Sequence, residues 1–398
     1  MKNNKNTYFF LTILLFLFFA GEIYAQPKWD YTGRELNTIT TSVPFLIISP
    51  DARAGSLGDA GVASTPDANS LHWNPAKYAF IEKDMGFSVS YSPWLRALVD
   101  DINLAYLSGY KKFGKDQVFA ASLLYFSLGT ITFTDITGHT LHDYRPNEFA
   151  LDACYSRKFS ESISGGISLR YIHSNLASGQ FVSGSESHPG NSVATDVSVY
   201  YQKPLELGQT PAKLAIGANI SNIGTKISYT ETTERDFIPI NLRFGPSLKI
   251  DLDDYNSLEI LLDINKLLVP TPPIYDNDTN GLVIIAGKDP NVAVVQGMFQ
   301  SFGDAPGGFK EELKEFTIST GVEYWYDKQF ALRGGFFFED ATKGNRKFFT
   351  LGAGLKYNVF GLDFAYLIPV EQRNPLGNTL RFTLLFDFDA FKEQNQQD

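Results

Sequence analysis

From Met85 onward the chain alternates apolar and polar residues with a period of two. Phe87, Val89 and Tyr91 share one face of a first run, and Ile102, Leu104 and Tyr106 share one face of a second. Successive side chains of a strand point to opposite faces, so this period predicts half-buried β-strands. Runs of about 9–12 residues then recur at Gln117–Ser127, Glu148–Phe159, Ser162–Ser174, Ser192–Lys203, Ala212–Asn222 and Ile240–Asp251. They continue at Asn256–Leu267, Phe316–Tyr326, Phe330–Glu339, Phe348–Tyr357, Phe360–Ile368 and Thr379–Phe388, which predicts fourteen strands in all. Tilted strands of about 9–11 residues have the length that crosses an outer membrane.

The connections support the same reading. Phe113–Asp116, Ser160–Glu161, Leu252–Tyr255, Asp327–Gln329 and Asn358–Val359 are tight. Between them lie the longer Leu128–Asn147, Asn175–Asn191, Ile223–Pro239, Leu268–Glu315, Asp340–Lys347 and Pro369–Asn378. Short turns on one side and long loops on the other describe a bacterial barrel, with the short turns and the N-terminal segment in the periplasm and the long loops outside. Only Pro204–Pro211 is longer than a periplasmic turn should be. In the last run Leu380, Phe382, Leu384, Phe386 and Phe388 alternate with Arg381, Thr383, Leu385 and Asp387, an amphipathic, aromatic-rich close to the barrel.

The stretch before the first strand breaks the pattern. Phe45–Phe80 is crowded with Gly, Ala, Pro, Asp and Asn and keeps neither a period of 2 nor one of 3.6. Yet Ile47, Ile48, Leu57, Val62, Leu71 and Trp73 are spread through it and call for burial. Irregular backbone is tolerated at membrane depth only where protein surrounds it. The stretch is therefore predicted to plug the barrel lumen. The domain organisation expected is a secretory signal at 1–25, a polar periplasmic arm at 26–44, the plug at 45–80, an all-β, 14-stranded antiparallel transmembrane β-barrel at 81–388, and a polar tail at 389–398.

Composition narrows the field. Phe, Tyr and Trp make up 14% of the chain, with 33 Phe and 20 Tyr, which suits aromatic girdles at two membrane interfaces. No stretch has the roughly 18 uninterrupted apolar residues of a membrane helix. The net charge of −10, from 34 basic and 44 acidic residues, argues against nucleic acid as a partner. The single Cys154 lies in a strand run and is expected to be a packed thiol.

Two sets of motifs are familiar. Gly55–Gly61 followed by Asp67–Phe80, with Asn74-Pro75-Ala76 inside it, resembles the N-terminal region of the long-chain fatty-acid transporter barrels. More extensively, Ser49–Gly55, Asp59–Phe80, Gly287–Leu313, Glu323–Lys347 and Tyr366–Pro369 are similar to the PorV family of the type IX secretion system of Bacteroidetes, over most of the mature chain. That resemblance implies an outer-membrane protein of a Bacteroidetes-type Gram-negative bacterium. It would bind the C-terminal signal domain of cargo leaving the large translocon barrel and carry it to an attachment complex that includes a signal-cleaving protease. Outer-membrane lipid is the other partner implied. The alternative carried by the first resemblance is transport of long-chain fatty acids or other hydrophobic molecules.

A shuttle needs an exposed gripping surface. In Leu268–Glu315 the apolar Val294, Val295, Met298, Phe299 and Phe302 stand beside Gly297 and Gly303, and in a second loop Phe181 and Val182 form a small apolar tip; these are the candidate partner-binding residues. The alternative for the first set is an extra hairpin or short helix folded onto the rim. No nucleophile signature or phosphate loop is present, so no catalytic residue and no cofactor are expected. His139 and His142 near Asp135 and Asp143 have the residue types of a metal site, but solvated loop side chains explain them, and no metal is expected. His72 is expected to hydrogen-bond within the plug. Glu311–Glu315 is expected to be a solvated face.

Overall fold

The computed structural model describes residues 36–388 apart from 97–98, 100, 135–136, 177–178, 180, 183–184, 232–234, 277–282 and 372–374. The expected signal, the first part of the arm and the polar tail lie outside the described residues.

Fourteen antiparallel strands form one closed barrel. They are β1 (Met85–Pro93), β2 (Asn103–Phe113), β3 (Gln117–Ser127), β4 (Asn147–Lys158), β5 (Ile163–Asn175), β6 (Gly190–Leu207) and β7 (Thr210–Gly224). Then come β8 (Asn241–Asp251), β9 (Asn256–Leu267), β10 (Phe316–Tyr326), β11 (Phe330–Phe338), β12 (Lys347–Tyr357), β13 (Phe360–Pro369) and β14 (Leu380–Asp387). Each strand pairs with its neighbour in sequence. The seam between β1 and β14 runs from Gly86 opposite Asp387 to Tyr91 opposite Phe382. Closure leaves no unpaired edge to be satisfied in lipid.

The alternation is inverted relative to a soluble protein. On β6, Val193, Val197 and Val199 face outward and are about half exposed, while Asp196, Ser198 and Tyr200 are buried inside. On β14, Phe382 and Leu384 face outward, and Arg381 and Thr383 are buried inside. An apolar outer wall around a polar interior is the arrangement a bilayer selects.

One expected connection is shorter than its sequence suggested. Pairing of β6 with β7 continues through Pro204, Leu205 and Glu206 to Leu207 opposite Thr210, so Pro204–Pro211 is mostly strand. The longer connections carry structure of their own. Ile131–Thr134 pairs with Thr140–Tyr144, Phe181–Val182 with Ser185–Glu186, and Ile274–Tyr275 with Ile284–Ala286.

Residues 43–81 contact strands all round the closed barrel, so they lie inside it. Ala52 N donates to Thr383 on β14, Ser108 on β2 to Ala68 O, Ser156 on β4 to Ala76 O and Ser247 on β8 to Ala63 O. Of the six apolar residues expected to be buried, Leu57, Val62, Leu71 and Trp73 are at most 2% exposed, while Ile47 and Ile48 are half-buried. The backbone is irregular: short helical turns at Pro44–Ile47, Ala52–Gly55, Ser70–Trp73 and Pro75–Phe80 are joined by tight bends.

The direction of travel corrects the expected arm. Asn37 N donates to Thr342 O, its side chain donates to Pro272 O and Glu311, and Ser42 N donates to Phe237 O. Those partners all belong to long connections. At the other end Lys112 bonds Asp84 O and Ile81 O, beside a short turn. Residues 37–44 therefore sit on the rim opposite the short turns, held by backbone pairing that the polar composition did not announce.

Candidate functional site

Three features define the site: the anchored segment in the lumen, the cavity beside it, and the apolar rim built by Leu268–Glu315.

The segment is knit together before it is anchored. Asp51 caps Ala52–Gly55 by accepting from Ala54 N at 2.9 Å, and its other oxygen accepts from Trp73 Nε1 at 2.6 Å. A capping carboxylate at a helix start is favourable in itself; here it also ties the two halves of the segment. Asn74, Pro75 and Ala76 form a second knot. Asn74 Nδ2 donates to Val62 O at 3.0 Å and to Val199 O on β6 at 3.1 Å. Its Oδ1 caps Ala76 N at 3.0 Å, and Pro75 opens the helical turn, where a missing N–H costs nothing. Ala76 N also donates to Ser198 at 2.9 Å, and Ser164 donates to Ala76 O at 2.6 Å. The strands come this close because two of them carry glycine. A Cβ on Gly166 would lie 2.6 Å from Ala76 N, and one on Gly217 would lie 2.1 Å from Val62 O.

Charge supplies the strongest grip. Arg53 makes a two-pronged bond to Glu323 on β10, at 2.9 and 2.7 Å, and lies 3.4 Å from Glu259 on β9. It also bonds Asp67 and Thr65 O within the segment. Arg333 on β11 joins Glu323 to Asp363 on β13. Nearby, Asp263 accepts from Gly61 N at 2.7 Å and Val62 N at 2.9 Å, satisfying two N–H groups that the irregular backbone leaves over. Buried ions survive when paired or hydrogen-bonded: Arg53, Glu323, Arg333 and Asp363 are paired, and Asp263 is held by the two backbone N–H groups. The sequence did carry a signal for them. Glu259, Asp263, Glu323, Arg333 and Asp363 are charges at inward strand positions, where a bland wall would carry Ser or Thr.

The His72 ring meets Trp73 and Tyr106 edge-on, at 5.0 and 6.2 Å, in place of the hydrogen bond expected for it. Cys154 is a buried thiol in an apolar cluster with Leu71, Tyr78 and Val118. His142 stacks on Phe133, and the described residues include no cluster of ligands fit for a metal. Asp135 lies outside the described residues.

A cavity of about 180 Å³ opens beside the start of the segment. Ile47, Ile48, Phe337, Phe348 and Leu367 make its apolar walls, and Arg346, Arg381 and Asp59 its polar ones.

The rim combines both readings of Leu268–Glu315. Val294–Gln300 is a helix. Val292, Val294 and Met298 pack against the apolar cluster at the barrel mouth, which includes Phe237, Leu268 and Val269. Gly297 is buried against Phe237 and Pro270. The opposite face is open, with Val295 61% and Phe299 76% exposed, and Phe302 follows at 52%. Of the seven candidate partner-binding residues, Val294 and Met298 thus hold the helix down, while Val295, Phe299 and Phe302 are presented. Phe181 and Val182 belong to a separate two-residue hairpin in another connection.

Glu311–Glu315 is the opposite of a solvated face. Glu315 bonds Lys266 at 2.5 Å and Lys343 at 3.0 Å, Glu312 bonds Lys266 at 3.2 Å, and Glu311 bonds Lys343 at 2.6 Å. Glu312 also accepts from Asp304 N and Ala305 N. The acids point inward because buried lysines wait there, and Phe309 and Leu313 are turned outward. Burial alone would push the Glu311 carboxyl up, but the bonds from Lys343, Gly307 N and Asn37 hold it below the ordinary 4.5.

A closed, apolar-walled, polar-cored barrel of fourteen strands defines the class: an integral outer-membrane protein. Residues 31–274 match the family described as Type IX secretion system protein PorV, and since this is more than half of the 398 residues, the chain belongs to that family. It is an outer-membrane component of type IX secretion. No curated protein matches the chain. Solved structures that it resembles include the Pseudomonas putida toluene transporter TodX, at 11% identity over 88% of this chain and 98% of that one, with a TM-score of 0.45. The Ralstonia pickettii toluene transporter TbuX is 9% identical over 88% and 98%, with a TM-score of 0.45. A Pseudomonas aeruginosa FadL homologue is 11% identical over 88% and 99%, with a TM-score of 0.42.

Proposed function

We propose that this chain is the non-enzymatic shuttle of type IX secretion. It binds the C-terminal signal domain of cargo leaving the large translocon barrel and delivers it to a surface attachment complex that includes the signal-cleaving protease. In this reading residues 45–80 are a fixed plug, the short turns face the periplasm of a Bacteroidetes-type bacterium and the long connections face outside. The observation that supports the proposal is a lumen segment bonded to strands on several sides, below a rim that presents apolar side chains. Arg53, Asn74 and Asp263 fix the segment to strands on several sides, which suits a scaffold. Val295 and Phe299 stand open on a helix whose other face is anchored, which suits a docking patch. Phe181 and Val182, in the separate hairpin of another connection, are proposed as further partner-binding residues.

The cavity bears on the alternative, a carrier of long-chain fatty acids or other hydrophobic molecules. Its 180 Å³ falls short of the roughly 300–1,000 Å³ of ordinary small-molecule sites, so the scaffold reading is favoured.

The test is an affinity pull-down of the membrane-extracted protein followed by mass spectrometry. Recovery of a giant barrel together with proteins sharing one C-terminal β-domain supports the shuttle. A protein that purifies alone and carries stoichiometric long-chain lipid overturns it in favour of the carrier.

A further inference from the structure

The lysine at the top of β9 is in an unexpected place. Outward positions on this part of the wall follow from the pairing: Leu262 and Ile264 on β9, Ile318 on β10 and Phe349 on β12. Lys266 and its partner Phe316 continue that outward row to the long-connection rim. An outward lysine at a membrane rim should extend into headgroups and water. Lys266 is 1% exposed. What covers it is the turn after the rim helix: Glu312 and Glu315 bond its Nζ, and the Phe302 ring lies 5.8 Å away. The turn 302–315 therefore covers an outward position of the wall at the rim.

The turn's own outer surface then takes the place of the wall. Its glutamates are turned inward to Lys266 and Lys343, and its buried Asp304 accepts from Thr271 N. Left outside are Phe302 at 52%, Phe309 at 76% and Leu313 at 55%, with Lys310 exposed among them. Leu313 is three residues from Phe316, a reach of about 10 Å at most along the chain. Phe316 is the next outward position after Ile318 on β10; Ile318 pairs with Phe338 on β11, and Lys347 stands over the Phe338 ring at 5.4 Å. Aromatic rings with lysines just above them are the signature of a membrane interface.

We propose that Phe302, Phe309 and Leu313 form a lipid-contact ledge, an outward extension of the aromatic girdle, and that Lys310 binds the phosphate of the lipid beside it. Two observations select lipid as the occupant: the surface is continuous with the lipid-facing wall, and its one exposed charge type is basic. In the orientation proposed above, that lipid is lipopolysaccharide. The ledge rests on the barrel and not on the shuttle reading, so either stands if the other fails.

The test uses site-directed spin labels on the full-length protein in vesicles of phospholipid with phosphorylated lipid A. Cys154 is buried, so Leu313→Cys offers the reactive thiol. Phe309→Cys, at the more exposed position, serves if the first fails to fold. The label at 313 should collide with oxygen several-fold more than with a water-soluble nickel chelate, as a label at the outward Leu351 does. A label at the exposed Lys288 should show the reverse order. If position 313 behaves like 288, the ledge is a solvated face and the proposal is wrong. If 313 is shielded from both reagents, and only in native membranes, the face belongs to a protein partner and the lipid assignment is equally overturned. Lys310→Glu should reduce the oxygen preference at 313 with phosphorylated lipid A and leave it unchanged with dephosphorylated lipid A. An equal effect in both removes the phosphate contact.

Discussion

Replacing Arg53 by methionine keeps the volume and removes the charge. The loss does not fall evenly on its partners. Glu323 keeps Arg333, whose Nε donates at 2.7 Å. Glu259 keeps Thr65, which donates from its N at 3.0 Å and its hydroxyl at 2.7 Å, but loses its cation. Asp67 loses its 2.9 Å partner. Removing one side of a buried ion pair costs roughly 3–5 kcal/mol. Because Glu323 stays paired, the low end applies, and about 3 kcal/mol multiplies the population of the released segment by roughly a hundredfold. The assay is limited proteolysis of the folded protein in detergent, scored for cleavage between residues 45 and 80, with gel mobility of the unheated sample as the check that the barrel is intact. Arg53→Met should be cleaved there while the barrel holds. Adding Glu259→Gln should restore part of the protection, because it removes the more deeply buried of the two charges left without a cation. A single variant as resistant as the parent, or a double variant no better than the single, would refute the idea that this ion hub holds the segment in place.

Gly217→Val puts a side chain where Val62 O already lies 2.1 Å from the Cβ position. It should loosen the segment by about 3 kcal/mol, the upper end for overpacking, read as faster cleavage within 45–80. Val295→Ser with Phe299→Ser should lower recovery of cargo on affinity beads, by about thirtyfold if the pair forms a binding hot spot worth about 2 kcal/mol, and leave the thermal midpoint unchanged because both side chains are exposed. Glu311 should make the rim sensitive to acid. Its folded carboxyl is held below the ordinary 4.5, so the unfolded loop takes up the proton first as pH falls. Its stabilisation is complete at neutral pH and is lost on acidification below about 4.5. Proteolysis of the rim measured down that range should steepen, and Glu311→Gln should flatten the profile.

The strands were legible because their physics is local. A period of two over Gln117–Ser127 or Phe360–Ile368 needs no knowledge of the partner strand, and the tight turns bound each run. The plug reading drew on a different argument, that irregular backbone needs a protein surround. The anchors within it stayed hidden, since nothing local says that Arg53 should meet Glu323, 270 positions away. Glu311–Glu315 was misread for the same reason: its acids look solvated until Lys266 and Lys343 arrive from separate strands and loops. Residues 37–44 were placed on the wrong rim because polar composition cannot say which backbone groups will pair. The partner-binding residues were half legible. Sequence picked the apolar set, and packing then divided it between Val294 and Met298 beneath and Val295 and Phe299 above.

The seam gives the lumen segment a part in bracing the ring. Thr383 on β14 accepts from Ala52 N and shares a 2.8 Å bond with Ser90 on β1, while Ser88 on β1 donates to Asn69. The first and last strands are the most distant in sequence and the last able to meet, and both of their inner faces finish their hydrogen bonds on the same short stretch of chain. An empty barrel would have to close on bare hydroxyls. Ala52 bonds the last strand and Asn69 the first, so the segment spans the seam from inside. The bonds that hold the segment in the lumen are thus also bonds that brace the ring where its two ends meet.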